Sequence, residues 1–208
     1  MTARPVVHVV DDDDSLRSAL AGLLQAAGYE VRAYASAGEL LLDDVATLTG
    51  CVLLDLKLEG PSGLDLQAAL VRRACTIPVV FLTAHGDIAA SVRAMKAGAV
   101  DFLVKPVERG PLLAAVRAAF ARDAAQAATA DRIAELRKRY ATLSAREREV
   151  LEAIVAGKLN KQIAHDIGVA ERTVKAHRAQ VMTKLGAGSP AVLGRIVEQL
   201  RLAVPPRE

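Results

Sequence analysis

Five short apolar runs punctuate the first half of the chain: Val6–Val10, Val31–Tyr34, Cys51–Leu54, Pro78–Leu82 and Val100–Val104. Each is rich in β-branched residues and too short for a helix, so each predicts a strand. The segments between them carry helical spacing. Leu16, Leu20, Leu23 and Leu24 make one stripe, closed by Gly28. Asp14 or Ser15 is expected to cap that helix, Ser36 and Glu39 have the spacing of a capping box, and Asp87 can cap a helix that Gly98 ends. Strand and helix alternating five times predict a parallel sheet covered on both faces.

The period changes after Glu108. Leu112, Leu113, Val116 and Phe120 form a helical stripe, and Ile133, Leu136 and Tyr140 resume an apolar face. The alanine-rich stretch 121–130 between them contains only good helix formers, so one helix is predicted over 108–140. From Ser144 onward the pattern is entirely helical. Ser144 and Glu147 make a second capping box, with Gly157 closing that helix. Asn160 is expected to cap the next, which Gly168 ends; Gly186 ends the third; Ser189-Pro190 opens the fourth, with proline in the first turn. The domains predicted are 1–122, a helical linker 123–137, and an all-α, four-helix domain 138–208.

Composition sharpens this picture in three respects. Hydrophobic residues are 52% of 208, which supplies a core and excludes disorder. No apolar run approaches the roughly 18 residues that span a bilayer, and MTARP has no leader character, so no membrane association is expected. Two cysteines, Cys51 and Cys75, make no disulfide framework, and a cytoplasmic location is expected. Charge is divided unevenly: residues 1–122 carry 12 Lys/Arg and 14 Asp/Glu, residues 123–208 carry 15 and 10. An acidic half followed by a basic half suggests that the second meets a polyanion.

In open α/β sheets, ligands bind beyond the carboxyl ends of the strands. Asp11 and Asp12 follow the first strand, Asp55 ends the third, Thr83 ends the fourth, and Lys105 with Pro106 ends the fifth. Singly each reads as a turn or surface residue; at successive strand ends they form a set. Three carboxylates together need a cation, and oxygen donors suit Mg²⁺. Asp55 can then attack a phosphoryl group, with Lys105 neutralising charge and Thr83 gripping the product. A phosphatase of the haloacid-dehalogenase class also forms an aspartyl phosphate, but needs a second acid where Lys57 stands. A nucleotide-binding reading fails because no glycine-rich loop follows the first strand.

The segments VVDDDDSLR, LLDLKLEGPSGLDL, VVFLTAHGD and AMKAGAVDFLVKP resemble the receiver domains of two-component response regulators over about residues 4–122. The resemblance implies a flavodoxin-like, doubly wound five-stranded sheet. It further implies phosphorylation of Asp55 by a sensor histidine kinase, Mg²⁺ held by Asp11, Asp12, Asp55 and the Lys57 backbone carbonyl, and Thr83 and Phe102 as the switch pair. The loop Leu58-Glu59-Gly60-Pro61-Ser62-Gly63 departs from the family's usual Met-Pro-Gly-Met-Ser-Gly: its proline is displaced and Glu59 brings a charge near the site. Lys57 and His85, two residues beyond Asp55 and Thr83, are expected to tune hydrolysis of the phosphate.

Residues 160–179, NKQIAHDIGVAERTVKAHRA, read as a helix-turn-helix. Ile163, Ile167, Val169 and Val174 hold two helices together, Ala164 permits a close crossing, and Gly168 supplies the turn. On a helical wheel, Val174, Val181 and Leu185 share one side of the second helix; Arg172, Ala176, Ala179 and Thr183 occupy the other, with Lys175 and Gln180 at its edges. Small residues flanked by basic ones suit a major groove, and His177 and Arg178, nearer the buried stripe, are expected to reach phosphates. His177 reads equally well as a packed core residue. The expected DNA-contacting set is Arg172, Thr173, Lys175, Ala176, His177, Arg178 and Ala179. Residues 138–202 resemble the LuxR-type output domain, and the whole chain resembles FixJ-type response regulators, in which Lys175 falls among base-contacting positions. That resemblance implies a promoter-binding transcription activator that engages RNA polymerase and forms a homodimer on phosphorylation. The expected dimer face is Met95, Lys96, Phe102, Leu112 and Val116, with helix pairing through Phe120, Ala127, Ile133 or Ala134, and Tyr140. Masking of the recognition helix by the unphosphorylated receiver is the alternative means of control.

Overall fold

Alternating strands and helices order the first half of the molecule. The computed structural model describes residues 5–83 and 88–202. In chain order the elements are β1 (Val6–Val10), α1 (Asp14–Ala26), β2 (Glu30–Tyr34), α2 (Ala37–Leu42), a 3-10 turn (Val45–Thr47), β3 (Cys51–Asp55), α3 (Gly63–Arg72), β4 (Val79–Thr83), α4 (Ile88–Lys96), β5 (Asp101–Val104) and α5 (Arg109–Ala141). Then come α6 (Ala145–Val155), α7 (Asn160–Ile167), α8 (Glu171–Leu185) and α9 (Pro190–Leu202). The chain divides into two compact units, Met1–Gln126 and Ala127–Glu208, and α5 contributes to each. Among the described residues no helix is long and apolar enough to cross a membrane.

The five strands are parallel, in the order β2-β1-β3-β4-β5. Every residue of β3 and β4 is buried, which is why those runs read as continuously apolar rather than alternating. Side chains still alternate between two layers. Val10, Leu54 and Phe81 pack with Leu40 of α2, Leu66 and Leu70 of α3 and Ala94 of α4. Val7, Val9, Leu53, Val80 and Leu82 pack with Leu20 and Leu24 of α1 and with Leu112 and Val116 of α5. Each fully buried leucine contributes about 1.5–3 kcal/mol of transfer free energy. Cys51 belongs to this second layer, and burial pushes its thiol up to about 12, so it serves as a small apolar side chain. Strand order reverses between β1 and β3, which opens a crevice at their carboxyl ends.

The second unit packs α6 to α9 around Val150, Leu151, Ile163, Val174, Val181 and Leu193, joined by Leu136 of α5. Its α6 opens on the capping box expected from Ser144 and Glu147, and the Glu147 carboxylate also takes the Lys184 ammonium at 2.7 Å. Lys184 first, then the Ser144 amide, holds that carboxyl below its ordinary value. Lys184 also donates to the Thr142 carbonyl, so the start of α6 is fastened to the last turn of α8.

Several expectations from the sequence are corrected. Asp13, not Asp14 or Ser15, caps α1, its carboxylate accepting from the Ser15 and Leu16 amides. Asp14 instead pairs with Arg17 one turn on. Ser36 caps α2, but Glu39 returns its bond to the Ala35 amide. Leu159, not Asn160, is the cap residue of α7, and its amide donates to Gln162. Leu112 and Val116 are wholly buried, so they cannot lie on a dimer face. Phe120, stacked on Tyr29, and Tyr140, packed against the second core, are each partly buried within the fold. Asp87 and His85 lie outside the described residues.

Candidate functional site

The carboxyl ends of β1, β3, β4 and β5 bring the polar set together. Asp11 is wholly buried, Asp55 is 6% exposed and Thr83 is 3% exposed, whereas Asp12 is exposed. The Lys105 ammonium reaches between two strands, donating to Asp55 Oδ2 at 2.7 Å and Asp11 Oδ2 at 2.9 Å. It is carried there by β5, whose register sets Val104 against Thr83, and by the Lys105 amide, which bonds the Thr83 carbonyl. The peptide bond from Lys105 to Pro106 is cis.

Backbone amides fix the carboxylates. Asp13 N–H donates to Asp11 Oδ1 at 3.0 Å, Lys57 N–H to Asp55 Oδ1 at 3.2 Å, and Glu59 N–H to Asp12 Oδ2 at 3.0 Å. The Lys57 bond sets that residue's backbone against the Asp55 carboxylate. The unusual loop therefore has a structural part: Glu59 exposes its side chain while its amide orients Asp12. Sequence reasoning missed two residues here. Arg17 donates to the Asp11 carbonyl at 2.6 Å, clamping the first loop; its place one turn into α1 was the only signal. Gly63 stands so close to Asp55 that a Cβ there would lie 2.3 Å from the Asp55 carbonyl oxygen.

Electrostatics follow from crowding. Burial pushes Asp55 above the ordinary carboxylate value, against the hydrogen bonds from Lys105 and the Lys57 amide. Burial alone would lower Lys105, but its bonds to Asp55 and Asp11 outweigh that and hold the ammonium above its ordinary value. The lysine is thus the protonated partner of a partly desolvated carboxylate pair. One lysine faces three carboxylates. An oxygen from each of Asp11, Asp12 and Asp55 can lie within 4.8 Å of the other two. A cluster of hard oxygen donors with excess negative charge fits Mg²⁺, which would be held by those three residues.

Thr83 closes this edge, but Phe102 does not join it. Phe102 is 40% exposed, and Val104 two residues on in β5 and Val92 and Met95 of α4 are exposed as well. Its strand neighbour is Phe81, two residues before Thr83.

In the second unit, α7 and α8 form the expected helix-turn-helix. Gly168 sits between them at φ +68°, in the left-handed region. Val174, Val181 and Leu185 are buried, and Arg172, Lys175, Ala176, Ala179, Gln180 and Thr183 are exposed, as the wheel predicts. Thr173 and His177 are half-buried. Arg178 is engaged within the fold: its guanidinium donates to Asn160 Oδ1 at 3.2 Å, tying α8 to the start of α7.

Residues 7–117 match the response regulator receiver domain, and residues 141–197 match the luxR family of bacterial regulatory proteins. Nodulation protein W of Bradyrhizobium diazoefficiens is 44% identical over 97% of this chain and 89% of its own length. The transcriptional regulatory protein FixJ of Azorhizobium caulinodans is 45% identical over 91% of this chain and 90% of its own. Among solved structures, the response regulator StyR superposes with a TM-score of 0.77 at 43% identity, covering 95% of this chain and all of that one. With its five-stranded flavodoxin-like sheet, its carboxylate crevice and its helix-turn-helix, the chain belongs to the two-component response regulators of the FixJ type, DNA-binding transcription regulators that join a receiver to a LuxR-type output domain.

Proposed function

We propose that Asp55 is the phosphoacceptor of this regulator and that its phosphorylation switches the protein on as a transcription activator. The observation that carries the reading is the Lys105 ammonium bridging Asp55 and Asp11 at hydrogen-bond distance beside Asp12. A carboxylate oxygen of Asp55 attacks phosphorus, a P–O bond forms there, and the bond to the donor's leaving atom breaks. The donor is a phosphohistidine of a sensor kinase or a small acyl phosphate. Asp55 must be ionised to attack, and Lys105 supports that form against burial. When bound, Mg²⁺ supplies charge neutralisation for the phosphoryl oxygens; Asp11, Asp12, Asp55 and the Lys57 carbonyl are its proposed ligands. Lys105 and the Thr83 hydroxyl hold the phosphoryl oxygens of the product. Lys57, exposed two residues on, sets how easily water reaches it.

Thr83 moving toward the phosphate vacates space beneath β5, and Phe102 turns inward to fill it. That remodels the exposed apolar face of Val92, Met95, Phe102 and Val104, on which two copies pair. A pair of output domains then engages two half-sites of promoter DNA with raised effective concentration, in contact with RNA polymerase. The DNA surface is Arg172, Thr173, Lys175, Ala176, His177 and Ala179, with Arg178 in support through Asn160. The regulator works in the cytoplasm.

Incubation with acetyl phosphate and Mg²⁺ tests the reading. Wild type is expected to gain acid-labile phosphate and to double in mass in solution, and Asp55→Asn to do neither. Equal labelling of Asp55→Asn would remove Asp55 as the acceptor. A labelled protein that stays monomeric on its operator would remove dimerisation.

A further inference from the structure

The loop after β3 sets this chain apart from the usual receiver, and it lies against the carboxylates. In Leu58-Glu59-Gly60-Pro61-Ser62-Gly63, Glu59 stands at the position of the proline in Met-Pro-Gly-Met-Ser-Gly. Proline has no N–H. The bond from the Glu59 amide to Asp12 Oδ2, at 3.0 Å, can therefore form only because another residue replaces it. Asp11 is wholly buried and takes both the Asp13 amide and Lys105; Asp55 is nearly so and takes the Lys57 amide and Lys105. Asp12 is exposed, so its orientation depends more on the amide that meets it. A free side chain must lose rotamer freedom when a cation recruits it, and one already held loses less. The amide occupies one carboxylate oxygen and leaves the other to coordinate. The Glu59 side chain is itself exposed. Even fully extended, with bonds of about 1.5 Å, its carboxylate lies within about 6 Å of its own nitrogen. It is thus within about 9 Å of Asp12 Oδ2, less than the Debye length of about 10 Å at about 0.1 M ionic strength.

We infer that Glu59 is a positioning residue for the Mg²⁺ site: its main-chain N–H holds Asp12 ready to coordinate, and its carboxylate adds an outer negative charge that favours the cation. The inference rests on the proposal that Asp11, Asp12 and Asp55 hold Mg²⁺. Loss of a group that orients a metal's ligand typically weakens binding about 10- to 100-fold. A unit charge acting on a divalent cation over about 9 Å of water changes affinity by only about 2- to 5-fold, and salt removes the effect. The amide is thus the larger of the two contributions. They are separable, because glutamine keeps the amide without the charge and proline loses both. The alternative is that the bond only shapes the loop, in which case its loss changes stability and leaves cation affinity alone.

Calorimetric titration of the full-length, unphosphorylated protein with MgCl₂ separates these, with melting temperatures taken in chelator as the measure of the fold. Glu59→Gln is expected to bind about 2- to 5-fold more weakly in low salt and equally well in about 1 M salt. Glu59→Pro is expected to bind about 10- to 100-fold more weakly in both. A folded Glu59→Pro protein whose affinity equals wild type, or falls no further than that of Glu59→Gln, overturns the inference. Asp12→Asn separates that failure from a failure of the ligand set. If Asp12→Asn loses affinity while Glu59→Pro keeps it, the site stands and Glu59 has no part in it. If Asp12→Asn also binds as wild type does, the ligand set itself is misassigned. Should Glu59→Pro fail to fold, hydrogen exchange at the Glu59 amide decides. Exchange slower in wild type than in Asp12→Ala is expected, and equal rates overturn the inference.

Discussion

Gly63→Ala is a one-methyl perturbation aimed from behind at Asp55, the proposed acceptor. The added Cβ would lie 2.3 Å from the Asp55 carbonyl oxygen, 3.2 Å from its carbon and 3.1 Å from the Phe81 ring. Real Cβ contacts essentially never fall below 3.0 Å, so α3 and the end of β3 must part by about 0.7 Å. No flexible side chain can absorb this, because the nearest atoms are backbone at the rim of the sheet. Overpacking of this kind costs about 1–3 kcal/mol. Exchange of glycine for alanine in a first helical turn returns less than about 1 kcal/mol. For a unit of this size, each kcal/mol moves the thermal midpoint by about 3–5 °C. The chemical effect follows from displacement. Asp55 accepts from Lys105 at 2.7 Å and from the Lys57 amide at 3.2 Å, and both contacts depend on where β3 ends. A misplacement approaching 1 Å costs about 10²-fold in a reaction that depends on alignment. The expected outcome is a melting point several degrees lower and acetyl phosphate labelling about 10- to 100-fold slower. Calorimetry and labelling kinetics at a temperature where the variant remains folded measure the two separately. A Gly63→Ala protein with unchanged midpoint and unchanged labelling rate would refute the claim that close approach at Gly63 positions the acceptor.

Burial holds His8 below its ordinary value, with Arg32 adding to the effect, while the Thr49 carbonyl, Asp43 and Glu30 oppose it. Its folded value lies under its unfolded one of about 6.5, so the stability it contributes is present above that pH and is lost as pH falls below it. Urea midpoints at pH 7.5 and 5.5 should therefore differ more for wild type than for His8→Gln. Mg²⁺ at 100 times its dissociation constant should raise the stability of the first unit by about 2.7 kcal/mol, and by much less in Asp12→Asn; equal stabilisation of both proteins would remove Asp12 from the ligand set. Ser144→Ala should cost the second unit about 1 kcal/mol through loss of the cap on α6, read as a lower denaturation midpoint.

Much of the fold was legible because its signals are local. Five apolar runs gave five strands to within one residue at either end, and buried central strands are apolar on both faces, so no alternation was needed to find them. The helix ends failed where one residue type competed with its neighbour. Four successive aspartates all make good caps, and only the path of the chain leaving β1 decides that Asp13 takes the amides. Part of the expected dimer face failed for a related reason. Leu112 and Val116 are apolar at helical spacing, as a docking face would be, but that spacing equally describes a helix buried against a sheet. Sequence shows that a stripe exists; which neighbour covers it is decided by the packing of α5 on the second layer.

The site divides in the same way. Its polar side chains could be gathered from sequence because parallel topology sends every strand's carboxyl end to one edge, so Asp11, Asp55, Thr83 and Lys105 converge whatever the loops do. What could not be placed are the groups that orient them, because these act through backbone. The amides of Asp13, Lys57 and Glu59 belong to side chains with no part in the contact, and the Arg17 guanidinium binds a carbonyl that every residue possesses. Gly63 acts through a missing atom. These contacts nevertheless set the chemistry. A carboxylate buried to 6% exposure is raised toward its neutral, unreactive form, and two hydrogen bonds, one from a backbone amide, oppose that shift. The ionisation of Asp55, and with it the reactivity proposed for it, is therefore a property of the loop geometry as much as of the strand that carries it. The altered Leu58–Gly63 segment bears on it directly, since its Glu59 amide orients Asp12 and its Gly63 lets α3 approach the Asp55 carbonyl.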